Sequence, residues 1–212
     1  MKFADVTALK AAMLEVSQSV IAAEPELTRV DSVIGDGDHG LGMKTGFTVL
    51  QEQLSGASFT SPYELFHSVG LCLVKSMGGS SGVLFGTLFI SGLDEIKNKA
   101  SLNGIDIAAF FTKGIQGVIH RGRARPGYKT MVDALLPAQS AMEEAIKSTD
   151  DIDQVLKAAY TGALQGVEDT KNMVSRLGRS KNFREQVIGW PDPGAMSVSV
   201  IFGALAKSLS RD

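Results

Sequence analysis

A single cysteine, Cys72, in 212 residues excludes an internal disulfide, and its place in an apolar run fits a reducing cytoplasm. No surplus of charge is present: 21 basic against 23 acidic residues leaves −2, which gives no argument for nucleic acid or a membrane surface. The N-terminus lacks the basic flank, long apolar core and small-residue cleavage site of a secretory signal. The longest apolar stretches are short and broken by glycine, so none reads as a bilayer span. No segment of any length alternates apolar and polar residues, which argues against sheet. What remains, 44% hydrophobic and 21% charged, is a globular chain with material for one sizeable core or two small ones.

The apolar period is helical almost throughout. Leu9, Met13, Val16 and Val20 form one face of a helix opened near Asp5, and Met43, Phe47, Leu50 and Leu54 repeat that spacing. Ser61, Pro62 and Glu64 give a capping-box start with proline at the first helical position, for a helix to about Met77. A fourth helix follows Gly82 and carries Leu84, Leu88 and Ile96. A fifth spans roughly Ile105 to Arg123, and a sixth starts at Thr130 or Met131 with Pro137 inside it. The seventh runs from Ile152 to about Leu177, and the eighth follows Asp192-Pro193-Gly194. Eight apolar helices joined mostly by short connections predict an all-α, up-and-down antiparallel bundle.

The most informative residues are Asp31-Ser-Val-Ile-Gly-Asp36-Gly-Asp38-His39-Gly40. Three carboxylates within eight positions, two of them between glycines and none beside a Lys or Arg, repel one another unless a cation sits among them. Hard divalent cations, Mg²⁺ above all, suit such oxygen ligands and also bind substrate phosphates. Gly35, Gly37 and Gly40 do match the G-x-G-x-x-G spacing of dinucleotide turns. A Rossmann turn, however, presents bare amides to a pyrophosphate, whereas Asp36 and Asp38 would oppose one. A calcium EF-hand fails because the twelfth position from Asp36 is Phe47, not Glu.

Polar residues and glycines gather in four connections: 31–42, 78–82, 121–131 and 178–194. In an up-and-down bundle the connections after helices one, three, five and seven share one end, so these four converge. The even connections, near Gly56, Gly104 and Thr149, carry no such cluster. Gly78 to Gly82 precedes a helix, so its amides and the Ser80 and Ser81 hydroxyls can hold phosphate at the positive helix end, or Ser80 can be an ordinary N-cap. No Gly-Lys-Ser/Thr follows, which excludes a Walker A loop. Arg179 can neutralise a phosphate or stand in solvent. His39 can bond a phosphate oxygen, carry a proton or be structural. Met131 can face a base or belong to the core, and Asp192-Pro193-Gly194 can be no more than a helix start.

Taken together, Ile34-Gly-Asp-Gly-Asp-His-Gly40, Gly78-Gly-Ser-Ser-Gly82 with Leu84-Phe-Gly-Thr87, Lys129-Thr-Met-Val-Asp-Ala134, Gly178-Arg179, Ile188-Gly189 and Asp192-Pro-Gly-Ala195 resemble the nucleotide-binding L subunit, or L domain, of dihydroxyacetone kinases. The resemblance runs nearly end to end, so residues 1–212 are expected to form one nucleotide-binding domain. It implies an eight-helix antiparallel barrel holding ADP or ATP with two Mg²⁺ ions at one end. By the resemblance, Asp31, Asp36 and Asp38 are the metal ligands. His39, Gly40, Leu41 and Gly42 lie along the nucleotide, and Ser80 and Ser81 meet its phosphates. Gly122 and Met131 frame the base, while Arg179, Asp192, Pro193 and Gly194 close over it.

The resemblance further implies a cytoplasmic phosphotransferase working with a separate K subunit that holds a short ketose covalently on a histidine. A phosphotransferase-system phosphocarrier is a further expected partner. With 212 residues there is no room for a K domain, so the K partner is expected as another polypeptide. Two departures fall in loops at the nucleotide end. Tyr128 stands where the family usually has Asp, and Asn182-Phe-Arg-Glu185 stands where it more often has Tyr-Leu-Gly. They leave the acceptor open between dihydroxyacetone and a relative such as erythrulose. A regulatory role signalling to a transcription factor in the ADP-bound form, and the nucleotide domain of a fatty-acid kinase-like system, are the alternative readings.

Overall fold

A computed structural model describes residues 2–210. Its helices are α1 (Val6–Ile34), α2 (His39–Gly56), α3 (Pro62–Ser76), α4 (Gly79–Ile90), α5 (Gly104–Gly122), α6 (Val132–Ala145), α7 (Ile152–Thr170) and α8 (Pro193–Leu209). Each packs on the next, and α8 closes against α1, so the helices form a complete ring. The all-α bundle expected from the periodicity is therefore present, closed into the barrel that the resemblance implies. Among the described residues, strands are confined to a two-residue antiparallel pair, Ala4–Asp5 with Ser101–Leu102.

Local chemistry sets the helix starts. The Asp5 carboxylate accepts from the Ala8 amide and opens α1. At α3 the Ser61 hydroxyl accepts from the Glu64 amide, as the capping box predicts. The Glu64 carboxylate, however, reaches back to Thr60, accepting from its amide and its hydroxyl rather than from the cap itself. Asn103 and Asp106 form a full reciprocal box on α5.

Phe66 of α3, Phe89 of α4, Phe110 and Phe111 of α5 and Phe202 of α8 meet at the barrel axis. Ring centroids lie 4.7 Å apart for Phe66–Phe110 and 5.0 Å for Phe111–Phe202. Each such buried ring contributes about 1.5–3 kcal/mol, so this cluster anchors the wall helices to a common centre. Helix α1 is long and apolar enough to cross a bilayer by length and composition, although no sequence run read that way. Its Leu9, Met13, Val16 and Val20 are buried in the barrel core, and α1 packs against α2 and α8.

Two helices are shorter than their periodicity. Helix α4 ends at Ile90, and Ile96 belongs to a separate 3-10 turn, Leu93–Ile96. The break falls at Gly92, packed so tightly on α5 that a Cβ there would lie 2.1 Å from the Phe110 carbonyl oxygen. Helix α7 ends at Thr170 instead of Leu177, and the chain from 171 to 192 becomes an irregular strap with helical turns at Ser180–Val187.

Candidate functional site

The connections after α1, α3, α5 and α7 do lie at one end, where they line a cavity of about 990 Å³. Several expected loop residues are helical there. Asp31 sits in the last turn of α1, His39 opens α2, and Gly79 to Gly82 form the first turn of α4.

Asp31, Asp36 and Asp38 each offer a carboxylate oxygen, and these oxygens lie within 4.8 Å of one another. Asp31 is buried; Asp36 and Asp38 face the opening. Gly35 lets the chain fold over Asp31, since a Cβ there would lie 2.2 Å from Asp31 Oδ1. Gly37, at φ 77°, takes the left-handed turn between the two outer acids. Burial, followed by the Asp36 carboxylate beside it, pushes the Asp38 carboxyl above its ordinary range. The only cation paired with this cluster among the described residues comes from the strap: Arg179 Nε is 2.9 Å from Asp36 Oδ2. A group of three oxygen donors with that spacing fits a divalent cation.

Gly78 to Ser81 line this cavity, as do Asp36, Asp38, His39 and Leu41. Gly79 has φ 67°, and the first amides of α4 have no side-chain cap. Such an uncapped N-terminus can donate to an anion, with the Ser80 and Ser81 hydroxyls beside it. The inner wall is apolar, formed by Leu84, Val118, Ala124 and Met131 around Gly122. That lining suits a planar heterocycle.

His39 lines the cavity with its side chain already engaged. The Ser197 hydroxyl gives its proton to the Pro193 carbonyl, so at 2.8 Å it accepts from His39 Nε2–H. Nδ1 is then unprotonated and 3.5 Å from the Ser81 hydroxyl. Burial lowers the imidazole pKa and keeps it neutral. The His39 amide donates to Asp31 Oδ2 at 3.0 Å. His39 thus joins α2, α4 and α8, and its amide fixes Asp31.

Gly40 is the one expected site residue absent from the cavity lining. It faces α1, where a Cβ would lie 2.2 Å from Thr28 Oγ1 and 2.6 Å from the Glu24 carbonyl oxygen. Its spacing between His39 and Leu41 puts it on the opposite side of α2. Leu41, Gly42, Ser80, Ser81, Gly122, Met131, Arg179, Asp192, Pro193 and Gly194 all line the cavity, as do the three aspartates.

Sequence reasoning gave Lys129 and Asp133 no role in the site. Lys129 is 1% exposed at φ 57°, and its Nζ donates to the carbonyls of Thr170 and Trp190, both at 2.5 Å. Desolvation lowers its pKa, opposed by Asp192 and Asp133. Asp133 accepts from the amides of Gly127 and Thr130 and shapes the loop before α6. Asp192 is the N-cap of α8, accepting from the Ala195 amide at 2.8 Å. Its complete burial raises its pKa to about 7, despite that bond and the nearby Lys129.

Residues 33–207 match the DAK2 domain family. The ADP-binding subunit DhaL of the PEP-dependent dihydroxyacetone kinase of Escherichia coli is 36% identical over 188 residues, covering 88% of this chain and 90% of that protein. The L-erythrulose kinase of Pectobacterium atrosepticum is 29% identical, over 95% of this chain and 35% of its own length. The crystal structure of the C. freundii dihydroxyacetone kinase in complex with AMP-PNP and Mg²⁺ superposes with a TM-score of 0.75 at 28% identity, over 95% of this chain. This chain spans about a third of that kinase's length, 34%. By family model, sequence and fold alike, the chain belongs to the DAK2 family, as a chain of the DhaL type found in dihydroxyacetone kinases.

Proposed function

We propose that this chain is the nucleotide-binding subunit of a ketose kinase, holding Mg²⁺–ADP or Mg²⁺–ATP in the barrel-end cavity. A single observation carries the reading. Three carboxylate oxygens within 4.8 Å share a cavity with an uncapped, serine-bearing helix N-terminus and an apolar recess. Those three surfaces match the metal, the phosphates and the base of one ligand. The names of relatives that bind ADP, and the AMP-PNP and Mg²⁺ complex of the C. freundii kinase, support it.

Asp31, Asp36 and Asp38 would hold two Mg²⁺ ions, which when bound supply charge neutralisation for the transferred phosphoryl group. The chain's own residues do the positioning. The first turn of α4 orients phosphate oxygens, Leu84 and Met131 exclude water around the base, and Arg179 adds a mobile positive charge at the opening. His39 stays neutral and keeps Asp31 aimed into the cavity. No step needs covalent help from this chain, because phosphoryl transfer depends on alignment and electrostatics.

The acceptor is a short ketose, dihydroxyacetone or a relative such as erythrulose, held by a separate K-type subunit. The histidines and the one lysine of the cavity offer no free nucleophile for a ketose: His39 bonds Ser197, Lys129 Nζ is bonded to two carbonyls, and His67 and His120 line no part of the cavity. The phosphoryl group comes either from exchange of ADP for ATP or from recharging of bound ADP by a phosphocarrier protein. Mixing the chain with a K-type subunit and each ketose, with ATP or a phosphorylated carrier as donor, tests the reading. Transfer only when both subunits are present is the expected result. Rapid phosphorylation of free ketose by this chain alone would overturn it.

A further inference from the structure

The strap from Lys171 to Trp190 leaves α7 and returns to α8 with its ends side by side. The Gly189 amide donates to the Lys171 carbonyl at 2.7 Å, and the Asp192 amide donates to Thr170 Oγ1 at 2.9 Å. Between those ends lie Gly178 and Arg179, which line the cavity, and Val187, buried against Val30 and Ile34 of α1. The strap is thus a long loop closed at its neck and anchored on α1.

Lys129 closes that neck from another part of the chain. Its ammonium bonds the Thr170 carbonyl at the strap's start and the Trp190 carbonyl at its end. The Thr170 carbonyl is among the last four of α7, which have no intrahelical partner and carry the negative end of the helix dipole. The Trp190 carbonyl is likewise supplied with a donor by this side chain. A lysine at φ 57° is strained by about 1–2 kcal/mol, so backbone preference alone would favour glycine there. The side chain must return more than that strain. One further tie runs beside it: the Arg176 amide donates to the Tyr128 carbonyl at 3.0 Å, next to Lys129 in sequence.

We propose that Lys129 is a positioning residue whose ammonium clasps the neck of the 171–190 strap and so sets where Arg179 and Asp192 stand over the bound nucleotide. This rests on the nucleotide reading above, while the clasp itself does not require it. Losing the ammonium leaves the Trp190 carbonyl without this donor and the Thr170 carbonyl with only the Met173 amide, so the neck loosens and the strap takes Arg179 with it. The ring of helices is expected to persist, because the wall helices pack on one another independently of this bond.

The protein carries one tryptophan, Trp190, whose carbonyl is half of the clasp, so its fluorescence reports the neck directly. In nucleotide-free Lys129→Met, Trp190 emission is expected to shift to the red and acrylamide quenching to rise, with helix content by circular dichroism unchanged. Mg²⁺–ADP affinity should fall about tenfold, the scale of one charge-assisted hydrogen bond. That loss should largely vanish in an Arg179→Met background, because both changes act through the same side chain. A second measurement uses the unaltered protein: the amides of Arg176, Gly189 and Asp192 should exchange with one common opening energy, below that of α1. Unchanged Trp190 emission in a folded variant, additive effects of the two substitutions, or independent exchange of the three amides would each overturn the clasp. If the unaltered chain bound no nucleotide, the functional reading would fail, and the fluorescence and exchange results would still decide the clasp.

Discussion

Arg179 Nε stands 2.9 Å from Asp36 Oδ2, so the strap delivers the one cation paired with the acidic cluster among the described residues. The Arg179 side chain is 76% exposed, and such a pair is screened and contributes little to folding. Its consequence is competition. On the proposed function, Arg179 occupies an oxygen that a metal would need, and it would turn to a phosphate once the metal bound. Replacing it with methionine should therefore leave binding of Mn²⁺ alone as tight or tighter, by paramagnetic resonance, while Mg²⁺–ADP binds about tenfold more weakly. Equal weakening of both ligands would mean that Arg179 helps build the metal site instead of competing for it.

Glycines in α2 separate two roles within four residues. Gly40→Ala forces a Cβ onto the Thr28 side chain and the Glu24 carbonyl, and backbone on one side of that clash cannot yield cheaply. Overpacking should destabilise by about 1–3 kcal/mol, read from the urea midpoint. Gly42 has nothing within 4 Å of its would-be Cβ, so Gly42→Ala should gain up to about 1 kcal/mol from helix propensity. Equal effects at both positions would contradict the close approach of α1 and α2 at Gly40.

Burial raises the Asp192 pKa to about 7, and this gives stability a definite slope with pH. An unfolded aspartate titrates near 3.9, so between the two values the folded state holds a proton that the unfolded state has lost. Stability from this group is therefore full below the unfolded value and falls as pH rises toward 7, by up to about 1.4 kcal/mol per pH unit. Asp192→Asn keeps an oxygen for the Ala195 amide and has no such slope. Without nucleotide, the variant should gain about 2 kcal/mol relative to the unaltered protein between pH 5 and 7.5. A difference that does not vary with pH would contradict the buried, proton-holding carboxyl.

Much of this site was legible before any coordinates. Helical periodicity gave the ring of helices, and alternation of loop ends then required residues 31–42, 78–82, 121–131 and 178–194 to meet. What stayed hidden depends on partners distant in sequence. Lys129 carries no visible role beside Thr130 until the Thr170 and Trp190 carbonyls close on it. The engagement of His39 depends on Ser197, in the last helix. Gly40 reads as part of a ligand loop because its contact, Thr28, lies across a turn that sequence does not orient. The end of α7 at Thr170 was missed because apolar residues continue at helical spacing into the strap.

Tyr128 precedes Met131 by three residues in the loop before α6. It lines no part of the cavity, and its carbonyl holds the strap through the Arg176 amide. Tyr128→Asp keeps that carbonyl, so Mg²⁺–ADP affinity should change less than twofold while kcat/KM with a K-type subunit shifts through altered docking charge. Silence in both assays would make Tyr128 an ordinary loop residue.

On the proposed function, the three aspartates bind nucleotide through metal. Titrating the purified chain with ADP in a calorimeter, with Mg²⁺ and then with EDTA, decides this. One-to-one binding that needs Mg²⁺ and collapses in Asp36→Asn, with helix content intact, is the predicted result. Binding of equal strength in EDTA, or unchanged affinity in Asp36→Asn, would contradict it.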